Sequence, residues 1–374
     1  MQMVRKGTNA SGMRRYNERL ILSAIRRMNG GSKAELARVT GLSPQAVVRI
    51  IDELESEGLL FQAEKRTGGM GQPATVYRIN GTRGYTVGVE IGRAAMTLVL
   101  LDFDGRQQAV QCDTGGFPTI DAAVQRIDRF LQEQLAHASL LDSRTFLGIG
   151  IAMPWFLGEW RDELGISEVQ AEEWRRADVA DRLRAGLAWP SFFDNDGNAA
   201  TLAHLLCGAG VDLQNFLLIN LGTFVGGGLV LGGQVVQGRH GNAGALASMP
   251  VVADGRRDSL IHHASLYDRD RATTPEALDA WRARCAEALA FAITGANSLL
   301  DLEAVILDGA LDAAELARIA ESVALNLTND APPDFFTPEL RAGSLGAHAA
   351  AIGAGLLPLH AQYSPDLGSL FKRD

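Results

Sequence analysis

Two runs of short strands, set far apart in the chain, constrain the fold more than any other feature of the sequence. The first run covers residues 86–91, 96–103 and 107–113, and the second covers residues 216–221, 226–231 and 234–237. An amphipathic helix over residues 120–136 and a buried strand over 146–152 follow the first run. This duplication predicts an α/β fold with two lobes, at about residues 85–200 and 201–374, and a cleft between them.

The charge is distributed unevenly along the chain. The 374 residues carry a net charge of −9, but residues 1–80 contain thirteen Lys and Arg against seven Asp and Glu, a net charge of +6. Residues 81–374 therefore carry −15. This asymmetry is typical of a chain in which one end meets a polyanion, although a solvated basic face would give the same count.

The basic segment has the pattern of three helices and a hairpin. Ile21, Ala24, Ile25 and Met28 recur at helical spacing. Ser32 and Glu35 form a capping-box pattern for a second helix, for which we expect Leu36 and Val39 to supply the buried face. Ser43 as N-cap and Pro44 at the first position begin a third helix, whose apolar stripe is Val47, Ile50, Ile51 and Leu54. The apolar runs 59–63 and 75–79 flank a glycine-rich stretch and predict a β-wing.

This arrangement predicts a winged helix-turn-helix over residues 1–80, followed by a second domain over residues 81–374. The third helix would enter the major groove by its N-terminal half, because Asp52, Glu53, Glu55 and Glu57 lie farther along, where phosphates repel them. The DNA-contacting residues that we predict are Ser43, Gln45, Ala46, Val48 and Arg49 on this helix and Arg66, Gly69, Gly71 and Gln72 on the wing. A protein-interaction module is the alternative; the charge, caps and wing together favour DNA.

Other features limit the kinds of site. The apolar runs are too short to span a bilayer, so we expect a cytoplasmic chain without a membrane segment. Cys112, Cys207 and Cys285 are far apart and have no metal-ligand spacing, so we expect buried thiols. No metal site and no cofactor are predicted.

The sequence resembles the ROK family of bacterial repressors and sugar kinases, which have the actin-like ATPase fold. The resemblance runs through nearly the whole chain. It is carried by the winged-helix residues 42–43 and 47–54 and by the strings 193–200 (FDNDGNAA), 221–228 (LGTFVGGG) and 238–244 (GRHGNAG). Their order and spacing identify the family more strongly than any one of these strings.

The resemblance implies a sugar site around Asn195 and Asp196, where Asp196 would be the general base of a kinase; both residues would in any case cap the following helix. It also implies ligand contacts from Gln170, four residues before Trp174, and from Asn242. Other positions depart from the family. Its Asp-Ile-Gly-Gly-Thr phosphate loop is Glu-Ile-Gly-Arg-Ala at residues 90–94.

Further departures lie in the second half of the chain. The family's sugar-binding Glu and zinc-binding His are replaced by Ala245 and Ser248, and residues 249–272 contain no Cys. The later glycine-rich nucleotide turn is reduced to residues 307–310, in which Asp308 would face a phosphate. These losses remove the electrostatic preorganisation that phosphoryl transfer needs. The sequence therefore predicts a regulator rather than an enzyme.

The predicted function is that of a DNA-binding transcriptional regulator, a repressor of carbohydrate-related genes, with a catalytically degenerate sugar-kinase-like sensor. Its expected partners are operator DNA, a small-molecule effector such as a sugar or sugar derivative, and further copies of itself in a homodimer or larger homo-oligomer. Two alternatives stay open: a residual sugar kinase, and a DNA-binding protein whose large domain serves only dimerisation.

Overall fold

The computed structural model describes residues 10–66, 74–93, 95–137, 145–155, 157–253, 256–330 and 334–365. The predicted DNA contacts Gly69, Gly71 and Gln72 lie outside these residues. The N-terminal part consists of α1 (Ala10–Met28), β1 (Gly31–Ser32), α2 (Lys33–Thr40), α3 (Pro44–Ser56), β2 (Leu60–Arg66) and β3 (Ala74–Ile79). Its strands have the order β1-β3-β2, and all of their pairings are antiparallel.

The caps of these helices form as the sequence predicts. The backbone N–H of Ser32 donates to Glu35 Oε2 at 2.9 Å, and the N–H of Glu35 donates to Ser32 Oγ at 3.3 Å. Ser43 Oγ accepts from the N–H of Ala46, and Pro44 takes the first helical position. One expectation is wrong, because Val39 is 52 % exposed. The inward face of the short helix α2 is shared by Leu36 and the adjacent Ala37 instead.

The strands that follow form two sheets of the same design. The first contains β4 (Tyr85–Ile91), β5 (Met96–Asp102), β6 (Gln107–Asp113), β7 (Phe146–Met153) and β8 (Ser191–Asn195), in the order β6-β5-β4-β7-β8. The second contains β9 (Phe216–Leu221), β10 (Val225–Leu231), β11 (Gln234–Val235), β14 (Ala304–Gly309) and β15 (Glu339–Ala342), in the order β11-β10-β9-β14-β15. In both, a meander is antiparallel and the last two strands are added in parallel. The predicted duplicated α/β fold is confirmed.

Helices and one hairpin complete the two lobes. The first sheet and its helices make the first lobe, with α4 (Ile120–His137), α5 (Arg161–Leu164), α6 (Glu168–Arg175) and α7 (Val179–Gly186). The second lobe adds β12 (Pro250–Ala253), β13 (Arg256–Ser259), α9 (Ile261–Ala264), α10 (Leu266–Arg269), α11 (Pro275–Leu300) and α12 (Ala313–Asp330) to the second sheet. Two buried helices, α8 (Asp196–Cys207) and α13 (Ala349–Tyr363), lie against each other between the sheets.

The helix α13 sits directly on the backbone of the first sheet. A Cβ atom at Gly150 of β7 would collide with the carbonyl of Ala354, so only glycine permits this approach. The hydroxyl of Thr86 on β4 donates to the carbonyl of Gly355 at 2.7 Å. The position of α13 on the sheet is therefore fixed by backbone contacts as well as by apolar packing.

The N-terminal part packs onto the large domain through α1. Ile21, Leu22 and Ile25 share one hydrophobic cluster with Leu101 and Phe103 at the end of β5 and with residues of α8 and α13. A guanidinium N–H of Arg26 donates to the carbonyl of Phe103 at 2.9 Å. The helix-turn-helix and the large domain thus have a continuous apolar core.

The cysteines differ from the expectation that all three are buried. Cys285 on α11 is buried, whereas Cys112 and Cys207 are exposed. Cys112 lies on β6, the edge strand of its sheet, and Cys207 is the last residue of α8. Among the helices that the structure describes, none combines the length and apolar character needed to cross a membrane.

Candidate DNA-reading helix and ligand cleft

The N-terminal half of α3 presents side chains to solvent. Gln45 is exposed, Val48 is 41 % exposed and the side chain of Arg49 is 58 % exposed, whereas Ala46 is half-buried. The hydroxyl of Ser43 is engaged in capping the helix. The opposite face, with Val47 and Ile50, is buried in the core of the domain. An exposed, capped helix with an amide, a methyl-bearing side chain and a guanidinium has the chemistry that reads base edges in a major groove.

Two of the acidic residues farther along α3, Asp52 and Glu53, are paired with basic residues of neighbouring helices. Lys33 Nζ lies 2.7 Å from Asp52 Oδ1, and Arg14 Nη2 lies 3.2 Å from Glu53 Oε2. Arg49 also approaches Glu53, at 3.9 Å. These pairs offset the negative charge that would otherwise oppose the approach of a phosphate backbone.

Arg66 is the last residue of β2 and the only predicted wing contact among the residues that the structure describes. Its side chain is 56 % exposed, and its Nη1 lies 3.1 Å from Glu35 Oε1. Glu35 also accepts the N-cap bond of α2, so the pair ties the base of the wing to the start of that helix. An exposed ion pair of this kind contributes little stability, so Arg66 can exchange Glu35 for another anion at low cost.

The predicted effector residues Asn195 and Asp196 lie where β8 ends and α8 begins. Asn195 is the N-cap of α8, and its Oδ1 accepts from the N–H of Gly197 at 3.0 Å. Asp196 accepts from the same N–H at 3.0 Å. Burial raises the pKa of Asp196, while the positive charge of Arg93 and backbone hydrogen bonds oppose that shift. The expected capping role is present, together with a carboxyl group that lies in a poorly solvated cleft.

A polar network surrounds this pair, and it includes Asp194, Asn198 and Gly241 from the strings that carry the family resemblance as well as Trp155 and Gln237, which the sequence did not indicate. Asp194 accepts from Asn198 Nδ2 at 3.0 Å and from Gln237 Nε2 at 2.9 Å. Asn198 also donates to the carbonyl of Gly241 at 3.2 Å, and the indole N–H of Trp155 donates to the same carbonyl at 3.0 Å. Asp194 and Asn198 are four residues apart, whereas Trp155 after β7 and Gln237 and Gly241 after β11 reach them only through tertiary folding.

The other two predicted effector residues lie in different surroundings. Gln170 on α6 donates its amide to the carbonyl of Phe117 at 2.8 Å, and Trp174 donates to Pro118 at 3.0 Å. Both residues therefore hold the segment before α4 in place. Asn242 is exposed and follows Gly241, whose carbonyl belongs to the network.

The segment that corresponds to the family's first phosphate loop, residues 90–94, contains the bulky side chains of Glu90 and Arg93. Burial raises the pKa of Glu90 to about 8, and the negative charge of Asp196 adds to that shift. The guanidinium of Arg93 lies 4.5 Å from the ring centre of Phe224, which belongs to the β9–β10 turn of the second lobe. Ala94 of this loop lies outside the described residues. A cation on an aromatic face thus joins the two lobes at this turn.

Asp308 does not face an open phosphate site, contrary to the expectation from the sequence. It is 2 % exposed, and its carboxylate accepts from the backbone N–H groups of Leu345 and Gly346, each at 3.0 Å. His204 Nε2 lies 2.9 Å from Asp308 Oδ2. Burial raises the pKa of Asp308, but the bonds from His204, Gly309 and Gly346 outweigh it and the pKa is lowered. The carboxylate is directed inward because β14 ends against these donors.

The vicinal pair His262 and His263 lies on α9. His263 Nε2 lies 3.0 Å from Asp258 Oδ2. Among the residues that the structure describes, no three His, Cys, Asp or Glu side chains group closely enough to hold a metal ion. A tetrahedral zinc site would need four such ligands.

Sequence comparisons match both parts of the chain to known families. The ROK family matches residues 86–259, and the MarR family matches residues 15–69. The uncharacterized protein y4fQ of Sinorhizobium fredii is 25% identical over 363 residues, which are 91% of this chain and 90% of y4fQ. The xylose repressor of Bacillus subtilis is 22% identical over 267 residues, which are 70% of this chain and 67% of the repressor.

Solved structures match the fold. A ROK family transcriptional regulator, described as a homologue of the E. coli Mlc protein, has a TM-score of 0.68 at 20% identity and covers 94% of this chain and 97% of its own. A ROK family glucokinase from Streptomyces griseus, in complex with glucose and AMPPNP, has a TM-score of 0.57 at 20% identity and covers 73% of this chain and 99% of its own. Regulators and kinases therefore share this architecture. The chain carries a ROK family domain behind an N-terminal winged helix-turn-helix of the MarR type.

Proposed function

We propose that the chain is a DNA-binding transcriptional regulator that represses carbohydrate-related genes. Residues 1–80 read the operator, and residues 81–374 bind an effector and a second copy of the chain. The observation that carries this proposal is the solvent-facing N-terminal half of α3, with Gln45, Val48 and Arg49 exposed on a helix that is capped and packed on its other face. The names of relatives such as the xylose repressor support the same function.

The ROK domain acts as a sensor and not as a kinase. Glu90 is longer than the family's Asp and Arg93 replaces the family's second Gly, so the loop is crowded where nucleotide phosphates need small residues and backbone amides. The carboxylate of Asp308 accepts from the backbone N–H groups of Leu345 and Gly346, near the later glycine-rich turn. Its negative charge would repel a phosphate at this turn. Kinases share the fold, so this conclusion depends on these residues and needs its own assay. ATP turnover should stay at background with hexoses, and turnover that Asp196→Asn abolishes would make the chain a kinase.

The effector site that we propose is the cleft around Asn195, Asp196 and the Asp194 network, with Asn242 at its edge; the amide of Gln170 instead donates to the carbonyl of Phe117. Carboxylates and amides in a poorly solvated cleft bind hydroxyl groups by charge-assisted hydrogen bonds, so a hydroxyl-rich ligand fits this chemistry. The exposed residues Ala245 and Ser248 leave space where the family has a Glu and a His. A modified or smaller sugar would use that space.

Closure of the lobes over the ligand would change the distance between the two reading helices of a homodimer. Those helices must lie about 34 Å apart, one turn of DNA, to engage both half-sites. A ligand that favours a different separation of the helices therefore releases the operator. By linkage, binding of the operator lowers the affinity of the protein for the ligand to the same degree.

The test is selection of DNA from a random library by the full-length protein, followed by fluorescence anisotropy on the enriched sequence. We expect an inverted repeat and binding that falls steeply with salt. Recovery of no enriched sequence would contradict the function. If an operator is found but no metabolite in a broad screen changes its affinity, the large domain serves only dimerisation.

A further inference from the structure

The helix α8 connects the two sites of the proposed function. It begins at Asp196, with Asn195 as its N-cap, and residues Gly197 through Leu205 are buried. Its first turn belongs to the proposed effector cleft. Its later turns pass beneath the helix-turn-helix, so one rigid element reaches from the ligand to the DNA-reading domain.

The first turns of α8 pack closely against neighbouring backbone on two sides. A Cβ atom at Gly197 would collide with the carbonyl of Gly227 on β10, and a Cβ atom at Gly353 of α13 would collide with the carbonyl of Ala199. Backbone therefore packs on backbone on two sides of the helix. Close-packed interiors are barely compressible and transmit displacement. A ligand that shifts the first turn of α8 must move the helix as a body, together with α13.

The side chains in the later turns of α8 pack against different partners. Leu202 and Ala203 lie in the cluster that contains Ile21, Leu22 and Ile25 of α1. Leu205, three residues after Leu202, lies in a separate cluster with Phe216 and Leu218 of β9. His204 is paired with Asp308 at the end of β14. Neighbouring side chains of α8 thus pack in two different clusters, one shared with the DNA-binding domain and one shared with the second lobe.

The first helix passes this contact on to the reading helix. Ile50 and Ile51 of α3 share the same cluster as Ile21 and Ile25 of α1. Arg14 on α1 forms the 3.2 Å ion pair with Glu53 on α3. Arg26 anchors α1 to the carbonyl of Phe103 at 2.9 Å. Movement of α1 relative to the large domain therefore carries α3 with it.

We propose that α8 transmits the state of the effector cleft to the reading helix through the contact of Leu202 and Ala203 with α1. This regulation rests on the proposed function. Coupling between two sites is reciprocal, so operator binding at α3 must alter the cleft end of α8 even when no effector is present. The proposal can therefore be tested before any effector is known.

The experiment is hydrogen–deuterium exchange of the full-length protein, with the operator enriched by selection or with scrambled DNA of equal length. We expect the operator, but not the scrambled DNA, to change the exchange rate of peptides covering residues 195–201 by at least about two-fold, in addition to protecting α3. Protection of α3 with no change in residues 195–201 would overturn the proposal. Failure to enrich any operator would instead overturn the proposed function.

A matched pair of variants tests the route. Leu202→Ala and Leu205→Ala make the same truncation of two nearly fully buried leucines, 4% and 3% exposed, which lie three residues apart on one helix but pack in different clusters. Both should lower Tm to a similar degree. Only Leu202→Ala should lose the operator-induced change at residues 195–201 while still binding operator, and Leu22→Ala on the α1 side should repeat this result if Leu202→Ala fails to fold. A full response in Leu202→Ala or Leu22→Ala, or an equal loss in Leu205→Ala, would show that the signal does not pass through this contact.

Discussion

The indole N–H of Trp155 donates to the carbonyl oxygen of Gly241 at 3.0 Å, and this bond joins the end of β7 in the first lobe to a loop of the second lobe. Asn198 donates to the same carbonyl at 3.2 Å, so the bridge is continuous with the network around Asp194. The two lobes are therefore held together at the site where we propose that the effector binds.

We expect Trp155→Phe to loosen this bridge, because phenylalanine keeps an aromatic six-membered ring but lacks the indole N–H donor. The loss should cost about 0.5–1.5 kcal/mol of unfolding free energy and increase the radius of gyration measured by small-angle X-ray scattering. Trp174→Phe is the control, since it removes an indole hydrogen bond of equal length to Pro118 within the first lobe. Equal radii for the two variants would show that the Trp155 bond does not hold the lobes together.

Arg49→Ala should weaken operator binding by about 1–3 kcal/mol if the guanidinium contacts a base edge with two hydrogen bonds. The side chain is 58 % exposed, so its removal should leave the fold intact. Arg129→Ala, an exposed arginine on α4, makes the same change of charge far from α3 and should have no such effect. Fluorescence anisotropy on the selected operator measures both variants. Unaltered binding by Arg49→Ala would remove this residue from the reading surface.

Asp196→Asn should fold and bind operator but lose ligand-induced release. Asparagine keeps an oxygen that can accept from the N–H of Gly197, so α8 stays capped, while the charge that would bind a hydroxyl group is removed. The measurement is operator affinity with and without the sugar that most raises the Tm of the wild-type protein. A variant that retains the full response would reduce Asp196 to a helix-capping role.

The buried carboxyl group of Glu90 should make stability depend on pH. Its pKa is raised from 4.5 to about 8 in the folded protein, so the folded state holds a proton that the unfolded state releases between these values. The stabilisation is complete below about pH 4.5 and is lost as the pH rises through about 8, at no more than about 1.4 kcal/mol per pH unit. Urea denaturation of wild type and Glu90→Gln from pH 5 to 8.5 measures this effect. The glutamine variant should have the flatter profile, and parallel profiles would contradict the assignment.

Much of the fold was predictable because its signals are local. The Ser32–Glu35 capping box, Ser43 with Pro44 and the two strand meanders each depend on residues a few positions apart, and all are present in the structure. The burial of Val39 was predicted wrongly, because periodicity does not show how far a short helix is rotated about its axis. The exposure of Cys112 depends on which strand becomes the edge of its sheet, which its neighbours in sequence do not encode.

The candidate cleft was predicted only in part, for a similar reason. Asn195 and Asp196 stand in a recognisable string and do begin α8. Asp194 stands in the same string, but Gln237 and Trp155 join it only when the loops after β7 and β11 meet the end of β8, so no spacing in the sequence points to these two residues. Asp308 could be located at its turn, but the inward direction of its carboxylate is set by Leu345, Gly346 and His204, which are distant in the chain.

The carboxylate of Asp308 is a covalently attached anion that accepts from backbone amides of the same chain. Unlike a bound nucleotide, it can neither dissociate nor be hydrolysed. In the regulator that we propose, the backbone N–H groups of Leu345 and Gly346 already donate to Asp308 and are not available to a nucleotide phosphate, so we expect that ATP is not a second signal. Its response would follow the concentration of the effector alone. Starved and well-fed cells with the same effector level would then show the same degree of repression, whatever their supply of ATP.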